Sequence, residues 1–255
     1  MIFSEFPVTG CWDKESVKSA FQPVESLPGS LIEASSRLFK EFSAGRPASY
    51  DGCLFGLRSL SVEGSVLTVI GSPVRFSWYL ATRSISHPEA WPRANPLGTT
   101  SILVTRDNDI LISIRSLKAE QNPGGLYFVG GFAEIEHSNE FNLFQNAERE
   151  IAEETGLDIT TAINSISLLA LAYDSAFAHP EAFFLVRLKL SSRELRAHLD
   201  NHKHEEAEKF ELLSKDNFFD LPCSERFLTW SFLKGRDFIA RYIQGGGTAK
   251  TYDNT

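Results

Sequence analysis

Residues 141–157, FNLFQNAEREIAEETGL, follow a glycine pair, Gly130-Gly131, and place two demands on any fold that contains them. Phe144, Ala147 and Ile151 recur at helical spacing along one flank. Glu150, Glu153 and Glu154, at i, i+3 and i+4, project from a face about a quarter turn away. Gly156 stands where a helix ends, because glycine alone enters the left-handed conformation without steric cost. Such a helix must bury one flank and keep its acidic face open to a cleft. Like charges four residues apart cost only about 0.2–0.5 kcal/mol per pair, so a solvated acidic face is tolerable in itself. The same face is also a source of hard oxygen ligands, which Mg²⁺ prefers and shares with water and substrate phosphates.

The segments around this helix predict a mixed α/β (α+β) architecture. Upstream, TSILVTRDNDILISIRS (100–116) reads as two strands around the turn Asp107-Asn108-Asp109, and GLYFVGG (125–131) as a short strand feeding the glycine pair. Downstream, SLLALAYDS and EAFFLVRLKL read as strands, SRELRAHLDNH as a helix and KFELLS as a strand. A final amphipathic helix is expected over residues 223–243. Ahead of all this, residues 29–43 predict an amphipathic helix closed by AGRP. The β-rich runs around Glu63-Gly64 predict a hairpin, and RFSWYLATR a strand or a short helix. HPEAWPRANPLG (87–98), with three prolines and no periodicity, is the best linker in the chain. The expected organisation is therefore a small α+β N-terminal subdomain over 1–92, a larger domain over 93–245, and a disordered Gly-rich tail over 246–255.

The formal net charge of -8 and a pI near 5.3 argue against coating a polyanion or an anionic membrane. The three cysteines, Cys11, Cys53 and Cys223, are odd in number and lack CxxC spacing, so neither a disulfide framework nor a zinc site is expected. The N-terminal MIFSEFPVTGCWDKE has no basic-then-apolar leader pattern, and no window has the apolar length of a membrane span. A soluble, cytoplasmic protein is the expectation, without nucleic-acid or membrane partners. The oligomeric state is left open, a homodimer included.

The string Arg149-Glu150-Ile151-x-Glu153-Glu154-x-Gly156-Leu157 matches the second half of the Nudix box. A chance match in a chain of this length has odds on the order of one in ten thousand. The first half departs from the pattern: residues 132–148 separate Gly131 from Arg149, 17 where the pattern has 13, an insertion of four. Counting forward puts His137 at the place of the first glutamate, and counting backward puts Phe141 there. Glu134, Glu136 and Glu140 lie close by, and the role of that first glutamate passes to none of them by counting.

The hairpin, glycine pair and helix come in the order of a Nudix fold over about residues 95–245. The resemblance implies an α/β/α sandwich around a mixed sheet. It further implies Mg²⁺ as cofactor, with Mn²⁺ as a conceivable substitute, held by Glu150, Glu153, Glu154 and the Gly131 carbonyl. Arg149 would orient Glu153, four residues on, through an ion pair. Members often recruit a further glutamate from a later loop; in HKHEEAEKFELL this chain offers Glu205, Glu206 and Glu208, of which Glu206 is chosen. His202 and His204 form an HxH without a third ligand, and read as exposed histidines. Arg115, at a strand end, is the candidate phosphate contact, and His179, in AHP, reads as a turn residue.

The implied reaction is hydrolysis of a nucleoside diphosphate linked to another moiety, giving two phosphorylated products. The N-terminal segment, with YDGCLFGLRSL and the linker running into NPLGTTSILV, resembles the organisation of the divergent Nudix enzymes that cleave UDP-glucose and UDP-galactose, whose box is also altered in its first half. ADP-ribose, dinucleotides and oxidised nucleotides are the alternative substrates. A Nudix-like module that senses a nucleotide without hydrolysis is the alternative of another class, disfavoured by the presence of all three helix glutamates.

Overall fold

The computed structural model describes residues 6–24, 26–46, 49–84, 86–119, 121–135, 141–202, 207–222 and 226–245. The elements before the proline-rich segment are β1 (Val8–Trp12), β2 (Val17–Phe21), α1 (Gly29–Ser43), β3 (Cys53–Glu63), β4 (Val66–Arg75) and α2 (Phe76–Thr82). After it come β5 (Gly98–Val104), β6 (Ile110–Arg115), β7 (Leu126–Tyr127), α3 (Leu143–Thr155), α4 (Ile159–Ala162) and β8 (Ile163–Asp174). The chain continues through β9 (His179–Leu188), α5 (Ser192–Leu199), β10 (Ala207–Leu213), α6 (Lys215–Phe219) and α7 (Trp230–Gln244). RFSWYLATR thus resolves as a helix, α2. The last helix begins at Trp230, where the Thr229 hydroxyl accepts the Phe232 N–H and caps it, rather than at residue 223. Among the described residues, no helix is long and apolar enough to cross a membrane. The expected tail over 246–255 lies outside the described residues.

A seven-stranded mixed sheet has the order β1-β8-β9-β5-β6-β10, with β7 also on β6. Only β5 and β9 run parallel in it; the other pairs are antiparallel. Side chains alternate across a strand, so Leu103 joins the core under α3 while Ile102 and Val104 join the core under α7. Helices α3 and α5 cover one face, through Phe144, Ile151 and Leu195. Helices α6 and α7 cover the other, through Phe218, Phe232 and Phe238. This is the α/β/α layering that the sequence implies.

The core runs across the boundary expected at residue 92. Strand β1 pairs with β8 in the large sheet. The smaller sheet, ordered β2-β4-β3, sends Phe55, Leu57, Leu67 and Val69 into the same apolar cluster as Phe144 and Ile151 of α3. The proline-rich stretch is packed rather than loose. Ala94 and Leu97 are fully buried, Leu97 donates its N–H to Phe55 O (2.8 Å), and the Arg58 guanidinium holds the Arg93 carbonyl (2.9 Å).

Local chemistry explains why α3 begins and ends where it does. The Asn142 side chain accepts the N–H groups of Phe144 and Gln145 (3.0 and 3.1 Å), two donors that an uncapped helix would leave unpaired. Gly156, at φ 68°, takes the left-handed cap. The helix therefore presents its acidic turn against the loop that carries the glycine pair.

Candidate active site

Glu150 and Glu154 converge on the glycine pair. The Gly130 N–H donates to Glu154 Oε1 at 2.9 Å. The Glu150 carboxylate lies against the Cα of Gly131, where a Cβ would come within 2.6 Å of its Oε2. Glu153 stands further out, with 58% of its side chain exposed, and is tied to the others through Arg149. The Arg149 guanidinium donates to Glu150 Oε1 at 2.7 Å and to Glu153 Oε2 at 2.9 Å. The i, i+4 pair predicted from spacing forms, and the pair with Glu150 next to it is closer and less exposed. Burial alone would lower the Arg149 guanidinium, but the surrounding charge of Glu150, Glu153 and Glu134 outweighs it and holds the group above its ordinary value.

The Gly131 carbonyl, expected as a metal ligand, meets two hydrogen-bond donors from β5. It accepts the Thr99 N–H (2.8 Å) and the Thr99 hydroxyl (3.2 Å), which use both of its lone pairs. Gly131 also leaves the Glu150 carboxylate the space that a Cβ would fill. A Gly131→Ala substitution should therefore leave folding almost untouched, since the atom it meets is the tip of a flexible glutamate that can swing aside. It should lower turnover about a hundredfold, the scale of a 1 Å misplacement of a reacting group. Comparison of thermal midpoint and kcat between the two proteins checks this.

The glycine-pair loop is anchored to the N-terminal hairpin. Phe55 N–H donates to Ala133 O and Ile135 N–H to Cys53 O, both at 2.8 Å. Glu134 gives its own N–H to Asn146 Oδ1 of α3 (2.7 Å), and its carboxylate accepts the Tyr50 hydroxyl. Nothing in the sequence signalled these contacts, because Tyr50 and Glu134 are 84 positions apart.

The other candidates lie elsewhere. Glu206, Glu205 and His204 fall outside the described residues. Glu208 is exposed on β10 and, with Arg196, Asp200 and His202, lines a cavity of about 530 Å³ between α5 and β10 that none of the helix glutamates borders. Arg115 lays its guanidinium over the Tyr127 ring, 4.9 Å from its centroid, rather than beside the acidic helix. His179 is a buried strand residue rather than a turn residue, set edge-on to Tyr79 and Phe132 because it opens β9 beneath α2. Two residues on, Glu181 is fully buried and accepts hydroxyl bonds from Thr100, Tyr127 (3.0 Å) and Ser231 (2.7 Å), which offset the cost of taking a carboxylate out of water. Burial and the nearby Glu181 charge push the Tyr127 phenol up. That cluster sits on the α7 side of the sheet, across β5 from Thr99 and the glycine pair.

Among the described residues, no three His, Cys, Asp or Glu side chains close around one point as a metal cage would. The donor set is nonetheless the one Mg²⁺ takes: all-oxygen carboxylates that supply one or two ligands, with water and substrate phosphates completing the octahedron. The family model of the Nudix domain matches residues 96–230, which contain the glycine pair, α3 and strands β5 to β10. The chain belongs to the Nudix family. As a Nudix protein it is a hydrolase of phosphoric anhydride bonds, and Nudix hydrolases generally use Mg²⁺ or Mn²⁺.

Among solved structures, the chain is similar to the Nudix domain of NrtR from Shewanella oneidensis, solved with ADP ribose. That match has 15% identity and a TM-score of 0.42, over 67% of this chain and 99% of that one. It is similar to an ADP compounds hydrolase at 13% identity and a TM-score of 0.44, over 78% and 99% of the two chains. A third similar structure is DR0079 from Deinococcus radiodurans, at 14% identity and a TM-score of 0.40, over 58% and 83%. At these values nothing about substrate passes from those proteins to this Nudix chain. No curated protein sequence matches it at a significant level.

Proposed function

We propose that the chain is a Mg²⁺-dependent pyrophosphohydrolase of nucleoside diphosphates linked to a second moiety, with UDP-glucose and UDP-galactose as substrates and UMP and a sugar 1-phosphate as products. The hydrolytic reading is carried by one observation: Arg149 holds Glu150 and Glu153 while Glu154 is fixed on the Gly130 amide, so all three box carboxylates are oriented before any ligand arrives. The UDP-sugar reading is supported by the sequence ahead of the box, where YDGCLFGLRSL and the linker running into NPLGTTSILV resemble the organisation of the divergent UDP-sugar diphosphatases.

Bound Mg²⁺, held by Glu150, Glu153 and Glu154, would supply charge neutralisation at the pyrophosphate and lower the pKa of an attacking water. The chain supplies the rest. Arg149 sets the two carboxylates it holds at fixed positions on one turn of α3, so little reorganisation remains for the transition state. A box glutamate takes the proton from the attacking water; Glu206 is a second proposed base. The open acidic face leaves room for a phosphate chain to complete the coordination shell.

The test is turnover of UDP-glucose, UDP-galactose, ADP-ribose, NADH and oxidised dGTP with Mg²⁺, repeated with chelator. Cleavage of the two UDP-sugars alone, abolished by chelator, is the expected result. Cleavage of another compound instead would retain the enzyme and discard the sugar nucleotides. Silence on all five would overturn the proposed substrate class.

A further inference from the structure

We propose that the cavity between α5 and β10 binds a small zwitterion with an apolar body, of the class of an apolar amino acid, and that His202 joins this site to the end of the box helix. Such binding goes beyond hydrolysis of a nucleotide and does not depend on it. The cavity holds about 530 Å³, within the range of small-molecule sites, and none of the box glutamates lines it. Its floor is apolar: Leu111 and Leu199 are buried, and Phe210 and Leu212 are half-buried.

Three charges on the rim are unmatched. Lys209 and Glu211 pair with each other at 3.1 Å, and Glu211 also pairs with Arg226 at 2.8 Å. Arg196, Asp200 and Glu208, by contrast, make no side-chain ion pair or hydrogen bond among the described residues. Arg196 and Asp200 stand at i and i+4 along α5, a spacing that allows a pair. The order cation-then-anion is the weaker one on a helix, because it sets the anion at the negative end of the helix dipole. Both groups stay available to a ligand, and Glu208 faces them from β10.

The ligand class follows by complementarity. Two carboxylates on facing elements suit one cation. Among the described residues, no three His, Cys, Asp or Glu side chains gather closely enough for a metal, so an ammonium group is the cation that fits. The Arg196 guanidinium suits one carboxylate, which it can grip through two parallel bonds. A simple amine would leave Arg196 unmatched, and a phosphate would meet Asp200 and Glu208 with like charge. The apolar floor takes the side chain that such a zwitterion carries.

The same cavity reaches the box helix. His202 lies against Gly156, where a Cβ would come within 2.5 Å of its Nδ1. His198 of α5 donates Nε2–H to Thr155 O at 2.9 Å, because a carbonyl can only accept. An occupant in contact with His202 therefore acts on the last turn of α3, which carries Glu153 and Glu154.

The test is titration of the full, isotopically labelled chain with L-phenylalanine, followed by backbone amide chemical shifts. Two analogues accompany it: phenylalaninamide, which lacks the carboxylate, and phenylpropanoate, which lacks the ammonium. L-Phenylalanine should saturate shifts at Leu199, Phe210 and Leu212 with a Kd on the order of 10⁻⁴ to 10⁻³ M, the scale for a ligand of its size, and should move the Gly156 amide. Each analogue should bind about tenfold more weakly, through loss of one charge-assisted contact. Arg196→Gln should erase the preference for L-phenylalanine over its amide, and Asp200→Asn with Glu208→Gln the preference over phenylpropanoate. All three positions are exposed, so these variants keep the fold. Absence of saturable shifts at the cavity below about 10 mM, equal binding of the analogues, or wild-type preferences in the variants overturns the site. Saturation that leaves Gly156 unmoved overturns its link to the box helix. Turnover of nucleotides enters none of these readouts and tests the proposed function separately.

Discussion

Glu154→Gln should lower kcat on the cleaved substrate about a thousandfold, within the range for loss of a positioned acid–base or metal-orienting carboxylate. The expectation follows from what the substitution keeps and what it removes. Glu154 accepts the Gly130 N–H through Oε1, and a glutamine can accept that bond through its own carbonyl oxygen. The loop therefore stays in place, and the thermal midpoint should move by no more than about 2 °C. The negative charge is lost, and with it the proposed ligand or base. Glu153→Gln offers the internal comparison. That carboxylate is 58% exposed and tied only to Arg149 among its described partners, so its loss should cost about tenfold. Steady-state kinetics at saturating Mg²⁺ decide the order. A Glu154→Gln enzyme within threefold of the wild type would remove Glu154 from the machinery.

Much of the fold was legible because it is local. The apolar flank of α3, the hairpin of β3 and β4, and strands β8 and β9 all declare themselves within windows of about ten residues. The Arg149–Glu153 pair was legible for the same reason, being one helical turn long. Strands β1 and β2 were not, since VTGCW and VKSAF are too short and too mixed to show an alternation, and they become strands by docking on β8 and β4. The hydrogen bonds to the Gly131 carbonyl were not legible, because a sequence does not show what faces a backbone oxygen. The partner is Thr99, brought there by the bridge between the glycine-pair loop and β5. The buried Glu181 has no signal in the sequence. Its burial depends on hydroxyls from β5, β7 and α7, three elements that no spacing rule connects.

Phe55→Ala should destabilise the whole chain by about 3–5 kcal/mol in a single cooperative transition. The size follows from packing. Phe55 is fully buried on β3, stacks on Phe141 with ring centroids 3.8 Å apart, and meets Phe21 edge-on at 5.6 Å. The single transition follows from where those partners lie. Phe21 belongs to β2 and Phe141 precedes α3, so one ring links the smaller sheet to the helix that carries the box. If residues 1–92 unfolded as a unit of their own, the substitution would split denaturation into two phases, the first releasing Trp12 and Trp78 fluorescence while the box still bound Mn²⁺. A core that spans both sheets loses Mn²⁺ affinity, fluorescence and helicity together. Coincident urea curves by the three probes are the expected result. They would give a physical reason for the N-terminal segment to travel with this box: the loop beside the acidic turn is hydrogen-bonded, through Phe55 N–H and the Cys53 carbonyl, to the β3–β4 hairpin.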